Sequence, residues 1–275
     1  MASFLTTPDG LRLWYGKYQP ETPSKRSVFI LAGITGINHE AERQVIDIFC
    51  TSSRVVIMHP RGTGHSEGKK GDIRDFSLFT NDYIQLVGQL TAEPEQRNFL
   101  FGHSMSAAMA MAVAEKAKNT AGVILVNPPF KMRRAKGMSP TLGQFLKYAF
   151  FMLFAPHKPI IDMGGDPSVI ENEDDRMEAE ERQGDPMLVR HFSLYCMLQA
   201  RKLMNRMVEF ASRAGYPLLL LYGDMDPIVD RSGVENIFQA WKRQDKQFVV
   251  VQGGPHGRRT VLLAASAIKN WLEAR

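Results

Sequence analysis

One stretch of this chain constrains its fold more than any other: an apolar strand that runs directly into a glycine–serine turn and then into a helix of small residues. The strand begins near Asn98, the turn is Gly102-His-Ser-Met-Ser106, and the helix covers Ala107 to Ala114. Strand, sharp turn and helix in this order are the context that a nucleophile elbow requires. Such a turn raises the hydroxyl of Ser104 above the edge of a sheet and directs the next backbone N–H groups toward the same point.

Strands and helices alternate over most of the 275-residue chain. Besides the strand before Gly102, short apolar or alternating runs predict strands at 11–18, 27–31, 55–58, 122–126, 217–222 and 247–251. Apolar residues at helical spacing predict helices at 41–50, 76–90, 234–243 and 260–273. This alternation predicts an α/β fold with a mostly parallel sheet and helices on both faces.

The alternation stops at Asn127-Pro-Pro and resumes at Pro217. The block between them has helical patches and a stretch rich in glycine and aspartate, but no regular succession of strands and helices. We therefore predict one domain, formed by residues 1–127 and 214–275, with a helical cap (lid) of residues 128–213 inserted after the sixth strand.

A serine hydroxyl acts as a nucleophile only when a base lies within hydrogen-bond reach and an acid orients that base. For Ser104 the preferred base is His256, which lies in a glycine-rich loop after the last strand. The acid lies in a turn after another strand, where both Asp224 and Asp226 qualify. Asp226 is preferred because Pro227 stiffens its turn, whereas Asp224 suits a turn-capping role.

Attack on a carbonyl group creates an oxyanion, which backbone N–H donors stabilise by about 3 kcal/mol each. The N–H group of Met105, directly after the serine, is one predicted donor. The second is predicted in the loop after the strand at 27–31, at Ile34 or its neighbour Gly33. Glycine lets the backbone of this loop approach a substrate closely, so Gly33 is also a candidate substrate-binding residue.

Five segments together resemble the monoacylglycerol lipase and lysophospholipase branch of the α/β-hydrolases, which is serine aminopeptidase S33-like. They are Ala32-Gly-Ile-Thr-Gly36, His59-Pro-Arg-Gly-Thr-Gly-His-Ser-Glu-Gly68, Gly102-His-Ser-Met-Ser106, Gly223-Asp-Met-Asp-Pro-Ile-Val229 and Gly253-Gly-Pro-His-Gly257. The resemblance covers nearly the whole chain and implies an α/β-hydrolase fold. It implies a nucleophile, an acid and a base at Ser104, Asp226 and His256, in the chain order typical of that fold. It also implies oxyanion donors at Ile34 and Met105.

Three positions depart from the pattern of that family. Ala32 stands where a histidine commonly precedes the oxyanion glycine, and Ser106 ends the elbow in place of glycine. The His59-Pro60 pair replaces the usual aspartate before the Arg-Gly. We expect Ser106 to crowd the start of the helix. None of the three removes a triad group, and together they indicate a divergent member with its own substrate.

Composition limits the cellular compartments and the classes of binding partner that we expect for this protein. The chain has only two cysteines, Cys50 and Cys196, and no cysteine–histidine cluster, which argues against a metal site and fits a reducing, cytoplasmic location. The first ten residues lack the features of a signal peptide, and no apolar stretch reaches the roughly 20 residues of a membrane span. The net charge is +5, but its basic runs lack interleaved aromatic residues, so we predict no nucleic-acid partner.

The predicted cap carries the features expected to decide specificity. Residues 145–155 are apolar around nearly the full circumference of a helix that is too short to cross a bilayer. We expect Phe150, Phe151 and Phe154 to line an acyl-chain pocket. A helix simply packed on the core is the alternative. Peripheral docking of the cap on membranes is a further expectation, because a basic cluster suited to anionic headgroups flanks the helix: Lys131, Arg133, Arg134 and Lys136.

These features predict a serine hydrolase, independent of cofactors, that cleaves small-molecule esters of medium- or long-chain acyl groups through an acyl-enzyme on Ser104. Activity is expected to rise with pH near about 6.5, where a histidine base loses its proton. The same triad serves thioesterases, aminopeptidases and acyltransferases, and a non-catalytic ligand-binding protein with this fold is a further alternative. The sequence makes no prediction about head group, chain length or oligomeric state.

Overall fold

The computed structural model of the protein describes residues 2–91, 93–133 and 142–275. The strands in these ranges are β1 (Ala2–Thr6), β2 (Arg12–Tyr18), β3 (Arg26–Leu31), β4 (Arg54–Met58), β5 (Arg97–His103), β6 (Thr120–Val126), β7 (Pro159–Asp162), β8 (His191–Ser193), β9 (Leu218–Gly223) and β10 (Lys246–Val251). Eight of them form one sheet in the order β1-β2-β4-β3-β5-β6-β9-β10, while β7 and β8 pair separately.

The large sheet is mostly parallel, which confirms the prediction. Strands β4, β3, β5, β6, β9 and β10 run parallel to one another. Strands β1 and β2 add an antiparallel edge. The sequence patterns do not predict β1, a strand of five residues at the edge of the sheet.

Helices cover both faces of the sheet. They are α1 (Arg43–Cys50), α2 (Phe76–Leu90), α3 (Met105–Ala114), α4 (Leu142–Phe154), α5 (Glu173–Gln183), α6 (Leu194–Asn205), α7 (Met207–Arg213), α8 (Arg231–Ala240), α9 (Arg258–Leu263) and α10 (Ala265–Glu273). One core contains buried residues of α2, α3, α6, α7 and α8, and the other contains those of α1, α9 and α10. None of the helices in these ranges combines the length and apolar character that crossing a bilayer requires.

The prediction of one helix at 260–273 is wrong, because the chain forms α9 and α10 there. They meet at Ala264, where a ψ angle of 4° takes the backbone out of helical geometry. The change of direction keeps Val261 and Ile268 buried in the same core.

The position of α3 explains why small residues follow Ser104. Every residue from Ser106 to Ala114 is buried, and α3 packs against β5, β6, α2, α6 and α7. Alanine side chains let a helix approach its neighbours closely on all sides. The helix that starts just after Ser104 is therefore held at the centre of the molecule, which fixes Ser104 at the carboxyl end of β5.

The segment between β6 and β9 is more varied than the predicted helical patches. It contains α4, α5, α6, α7, the β7–β8 pair and a short 3-10 helix, Pro167–Val169. Strands of four and three residues, such as β7 and β8, are too short to produce a recognisable alternation. Helices α6 and α7 contribute buried residues to the core, whereas α5 has none. The division into core and cap at residues 128 and 213 stays a prediction.

Candidate active site

Ser104 adopts a backbone conformation typical of a sharp strand-to-helix turn, with φ of 54° and ψ of −129°. Its N–H group donates to the carbonyl of Val126 at 2.9 Å, which ties the turn to β6. The turn requires glycine at position 102, because a Cβ atom there would lie 2.4 Å from the carbonyl oxygen of Ser106. The local fold therefore holds the Ser104 hydroxyl above the sheet.

The expectation that Ser106 crowds the start of the helix is wrong. Its hydroxyl accepts a hydrogen bond from the N–H group of His103 and donates to the carbonyl of the same residue, both at 2.9 Å. The side chain is buried and pairs with two backbone groups of the turn. The serine thus closes the elbow with its own hydrogen bonds.

The structure brings together the three predicted triad residues. Ser104 Oγ lies 2.9 Å from Nε2 of His256, and Nδ1 of the same ring lies 2.8 Å from Oδ2 of Asp226. A carboxylate only accepts hydrogen bonds, so Nδ1 carries the proton and Nε2 is free to accept one from the serine hydroxyl. This is the arrangement in which a histidine can act as general base.

The buried carboxylate of Asp226 is fixed by the backbone of its own turn. Its Oδ1 atom accepts hydrogen bonds from the N–H groups of Ile228 and Val229, at 2.7 and 2.9 Å. Its Oδ2 atom faces His256. Asp224 instead accepts the N–H group of Gly253 at 2.7 Å. Of the two predicted candidates for the acid, only Asp226 contacts the histidine.

The loop that carries His256 is held by two side chains that the sequence analysis did not identify. Nε2 of His103 lies 2.6 Å from the carbonyl oxygen of His256, and Nδ2 of Asn127 donates to the carbonyls of Pro255 and His256 at 3.0 and 3.2 Å. Asn127 also accepts the N–H group of Gly223 at 2.9 Å, which joins this loop to β9. Burial lowers the pKa of His103 to about 4, so its ring is neutral and donates through Nε2.

The two predicted oxyanion donors lie in adjoining segments: Met105 is the first residue of α3, and Ile34 lies in the loop after β3. A Cβ atom on Gly33 would lie 2.9 Å from the Met105 side chain, so the loop after β3 runs directly beside the start of α3. The hydroxyl of Tyr83 accepts the N–H group of Ala32 at 3.0 Å and fixes the entry to this loop. Among the described residues, the N–H groups of Ile34 and Met105 donate no hydrogen bond. Both are therefore available to a ligand.

Comparison with known proteins assigns the chain to a family. A family model described as serine aminopeptidase, S33, matches residues 22–258. The chain belongs to this family. The fold and the family resemblance predicted from the sequence are both confirmed.

Two lipases are similar to this protein along most of the chain. Human monoglyceride lipase is 27% identical over 259 residues, which cover 92% of this chain and 82% of that protein. The monoacylglycerol lipase of Mycolicibacterium smegmatis is 26% identical over 252 residues, covering 90% and 86%. The crystal structure of a soluble variant of the Saccharomyces cerevisiae monoglyceride lipase, in complex with a substrate analogue, has a TM-score of 0.81 at 18% identity. It matches 100% of this chain and 94% of that one.

His59 lies in a buried stack of aromatic rings. The ring packs on Trp14 with centroids 4.1 Å apart. Its Nδ1 atom accepts the N–H group of His65 at 3.1 Å, and its Nε2 atom faces Nδ1 of His39 at 3.2 Å. Burial, together with the neighbouring His39 and His65 rings, lowers the pKa of His59 to about 3. The neutral ring holds its loop by packing and hydrogen bonding.

The predicted substrate-binding aromatic residues lie on α4 with different exposure. Phe150 and Phe154 are 58% and 69% exposed, and their ring centroids are 4.9 Å apart. Phe151 is half-buried. Two exposed rings on one helix suit contact with an apolar surface better than the lining of an enclosed pocket.

The predicted basic cluster is divided. Lys131 donates to Ser232 at 2.8 Å, and Arg133 donates to the Tyr222 hydroxyl at 3.0 Å, so both are bonded to the protein. Arg134 and Lys136 lie outside the described residues. In the part of the chain that the structure describes, no three His, Cys, Asp or Glu side chains are placed to hold a metal ion.

Proposed function

We propose that this protein is a serine ester hydrolase whose substrates are monoacylglycerols or related small esters with a medium or long acyl chain. The observation that carries the proposal is the continuous hydrogen-bond relay from Ser104 through His256 to Asp226, at 2.9 and 2.8 Å. The names of the two curated relatives, both monoacylglycerol lipases, support the substrate class.

In this mechanism Ser104 Oγ attacks the ester carbonyl while its proton moves to Nε2 of His256. The imidazolium that forms is stabilised by the buried carboxylate of Asp226. The histidine then gives the proton to the leaving alcohol, which leaves an acyl group on the serine. Water, deprotonated by the same histidine, attacks the acyl-enzyme and releases the fatty acid.

We assign the stabilisation of the negative charge on the carbonyl oxygen to the N–H groups of Ile34 and Met105. Met105 directly follows Ser104, and the loop that carries Ile34 runs beside the Met105 side chain. Neither N–H group donates a hydrogen bond among the described residues, which supports this role. Donors that are fixed before the reaction need no reorganisation as charge develops, and each contributes about 3 kcal/mol to the transition state.

The cap is assigned a role in presenting lipid substrates. Large apolar side chains form a stripe along one side of α4, at spacings of four, seven and eight residues: Leu146, Phe150, Leu153 and Phe154, all exposed. We assign this stripe to docking on a membrane surface, from which an acyl chain can pass to the site. A cytoplasmic location is part of the proposal and is supported by the free thiols of Cys50 and Cys196.

The test is hydrolysis of 1-monoacylglycerols and of p-nitrophenyl esters from acetate to palmitate. Wild type is compared with Ser104→Ala and with Ser106→Ala, which removes the other hydroxyl of the elbow but leaves the triad. The expected result is turnover by wild type and Ser106→Ala, and only a residual rate, about 10³-fold above water, in Ser104→Ala. Wild type that cleaves amide or thioester substrates but no ester would contradict the proposal.

A further inference from the structure

The strongly acidic helix α5, which has no buried residue, contacts the backbone of the triad histidine. Asp175 Oδ2 accepts the N–H group of His256 at 3.1 Å, and Asp175 Oδ1 accepts that of Gly257 at 2.7 Å. Glu178 Oε2 accepts the N–H group of Arg258 at 2.8 Å. Three successive backbone donors of the histidine loop therefore bind two carboxylates of one helix.

The close approach of α5 depends on the absence of a side chain at position 257. A Cβ atom on Gly257 would lie 2.4 Å from Glu178 Oε2 and 2.8 Å from Asp175 Oδ1. The φ angle of this glycine is −74°, which any residue adopts, so the requirement is for space and not for backbone conformation. The loop and the helix are thus fitted to each other.

The same helix is tied to the loop that carries the proposed oxyanion donor. Arg182, in the last turn of α5, donates to the hydroxyl of Thr35 at 3.1 Å. The chain after the helix returns to that loop, since the N–H group of Val189 donates to the carbonyl of Thr35 at 2.9 Å. Helix α5 therefore bridges the loops on either side of Ser104.

We propose that Asp175 is a positioning residue that holds the His256 loop from α5, so that the ring bridges Ser104 and Asp226. The inference rests on the proposed function, because it assigns a role within the same triad. Asp175 does not touch the reacting atoms. It acts through the backbone of His256, and Glu178 acts in the same way one residue further along.

The charge of Asp175 adds to this effect. Its carboxylate faces His256 and, on its own helix, Glu178. Partial burial and the neighbouring charge of Glu178 raise the pKa of Asp175, while the hydrogen bonds from Gly257 and His256 and the charge of the histidine act in the opposite direction. A carboxylate at this position favours the protonated imidazole that forms during attack, in addition to Asp226 on the ring itself.

The test compares Asp175→Asn with Asp174→Asn. Both aspartates lie in the first turn of α5, so each variant loses one charge there, but Asp174 only approaches Arg259, at 3.8 Å. In Asp175→Asn an amide group replaces the carboxylate that accepts the N–H groups of His256 and Gly257. The amide has only one acceptor oxygen, so one of these hydrogen bonds is lost. We expect kcat for a short p-nitrophenyl ester to fall about tenfold, with KM little changed. The acidic limb of the kcat/KM profile should move down by about 0.5 pH unit. Asp174→Asn should match wild type in all three.

A second variant, Gly257→Ala, tests the same contact with Asp175 intact. This substitution places a methyl group against both carboxylates and moves α5 away without changing any triad side chain. Its kcat for the short p-nitrophenyl ester should fall as in Asp175→Asn, with KM little changed, and a wild-type kcat would overturn the positioning role. Because it acts through the same contact, its loss of kcat should be smaller in the Asp175→Asn background than in wild type. Equal kcat and pH profiles in Asp175→Asn and Asp174→Asn, or fully additive losses in the double variant, would overturn the positioning role. An active Ser104→Ala variant would instead overturn the proposed function.

Discussion

At the scale of single residues, Ser104 holds a backbone conformation that costs on the order of 1–3 kcal/mol in an isolated chain. The turn keeps it there by steric and hydrogen-bond constraints from Gly102 and Ser106. The Ser106 hydroxyl bonds both backbone groups of His103.

Replacing Ser106 with alanine should therefore destabilise the protein by about 1–2 kcal/mol, because two buried backbone groups of His103 lose their partner. Urea unfolding measures the change. Ser212→Ala is the matched control, since that hydroxyl is exposed and bonds only the carbonyl of Glu209. Equal unfolding midpoints for the two variants would show that the hydroxyl does not stabilise the elbow.

A second residue-scale prediction concerns Glu42. Burial and repulsion from Glu178 raise the pKa of Glu42 to about 7, against the opposing effect of Arg258 and Arg182. A folded pKa above the unfolded one means that its contribution to stability is present below about pH 4.5 and is lost as the pH rises toward 7. Glu42→Gln should thus be more stable than wild type at pH 8, by about 3 kcal/mol, and similar to it at pH 4.5.

Urea unfolding at these two pH values measures the effect, with the exposed Glu40→Gln as control. If Glu42→Gln changes the free energy of unfolding equally at both pH values, then Glu42 does not titrate in the folded protein near neutral pH.

At the scale of elements, α4 is an apolar helix with several exposed large side chains. Its exposed apolar stripe leaves a surface that a protein in water normally covers. Replacing Leu146 and Leu153 with serine should reduce binding to vesicles that contain anionic phosphatidylglycerol, because each substitution removes apolar area from the contact.

Co-sedimentation with those vesicles measures this binding. Leu78→Ser, which removes an exposed leucine from α2, is the control. Wild type that stays in the supernatant at every vesicle concentration would rule out the docking role of α4.

At the scale of the whole molecule, Asp72 connects the loop before α2 to the segment between β6 and β9. Its side chain is inaccessible to solvent and accepts hydrogen bonds from Ser193 Oγ at 2.6 Å, Lys69 Nζ at 2.9 Å and His157 Nδ1 at 3.1 Å. Burial acts to raise the pKa of Asp72, but these three donors outweigh it and lower the pKa to about 2. The resulting stability is present above about pH 4 and is lost as the pH falls through 2.

Asp72→Asn should cost about 3 kcal/mol at pH 7, because it removes one partner of a buried charged network. Lys69→Met, which removes only a partly exposed partner, should cost less than about 1 kcal/mol. Thermal unfolding of the two variants measures the difference. Similar losses in both would indicate that the contacts of Asp72 with Ser193 and His157 add nothing to stability.

The sequence predicted what depends on local pattern. Short apolar runs predict the parallel strands, and glycine and proline indicate the loops at their carboxyl ends. These two patterns were enough to select Ser104, Asp226 and His256 as candidates. Their contacts in the structure follow because the ends of parallel strands meet at one edge of the sheet.

Other features could not be predicted because they depend on contacts between distant parts of the chain. Asp175 contacts His256 although the two residues are 81 positions apart in the chain, and His103 contacts His256 although they are 153 positions apart. A run of acidic residues such as that of α5 normally predicts a solvent-exposed helix face. The sequence alone does not show which backbone groups these side chains contact. The rings around His59 are a second example, since Trp14 lies on β2 whereas His59 follows β4.

The measurement that tests the account most directly is mass spectrometry of the protein after reaction with a fluorophosphonate that carries an alkyl chain. The account predicts one adduct per chain, on the peptide that contains Ser104. It also predicts no adduct in Ser104→Ala and slower labelling when a monoacylglycerol is present. Labelling of another residue, or none at all in folded wild type, would contradict the assignment of Ser104 as the nucleophile.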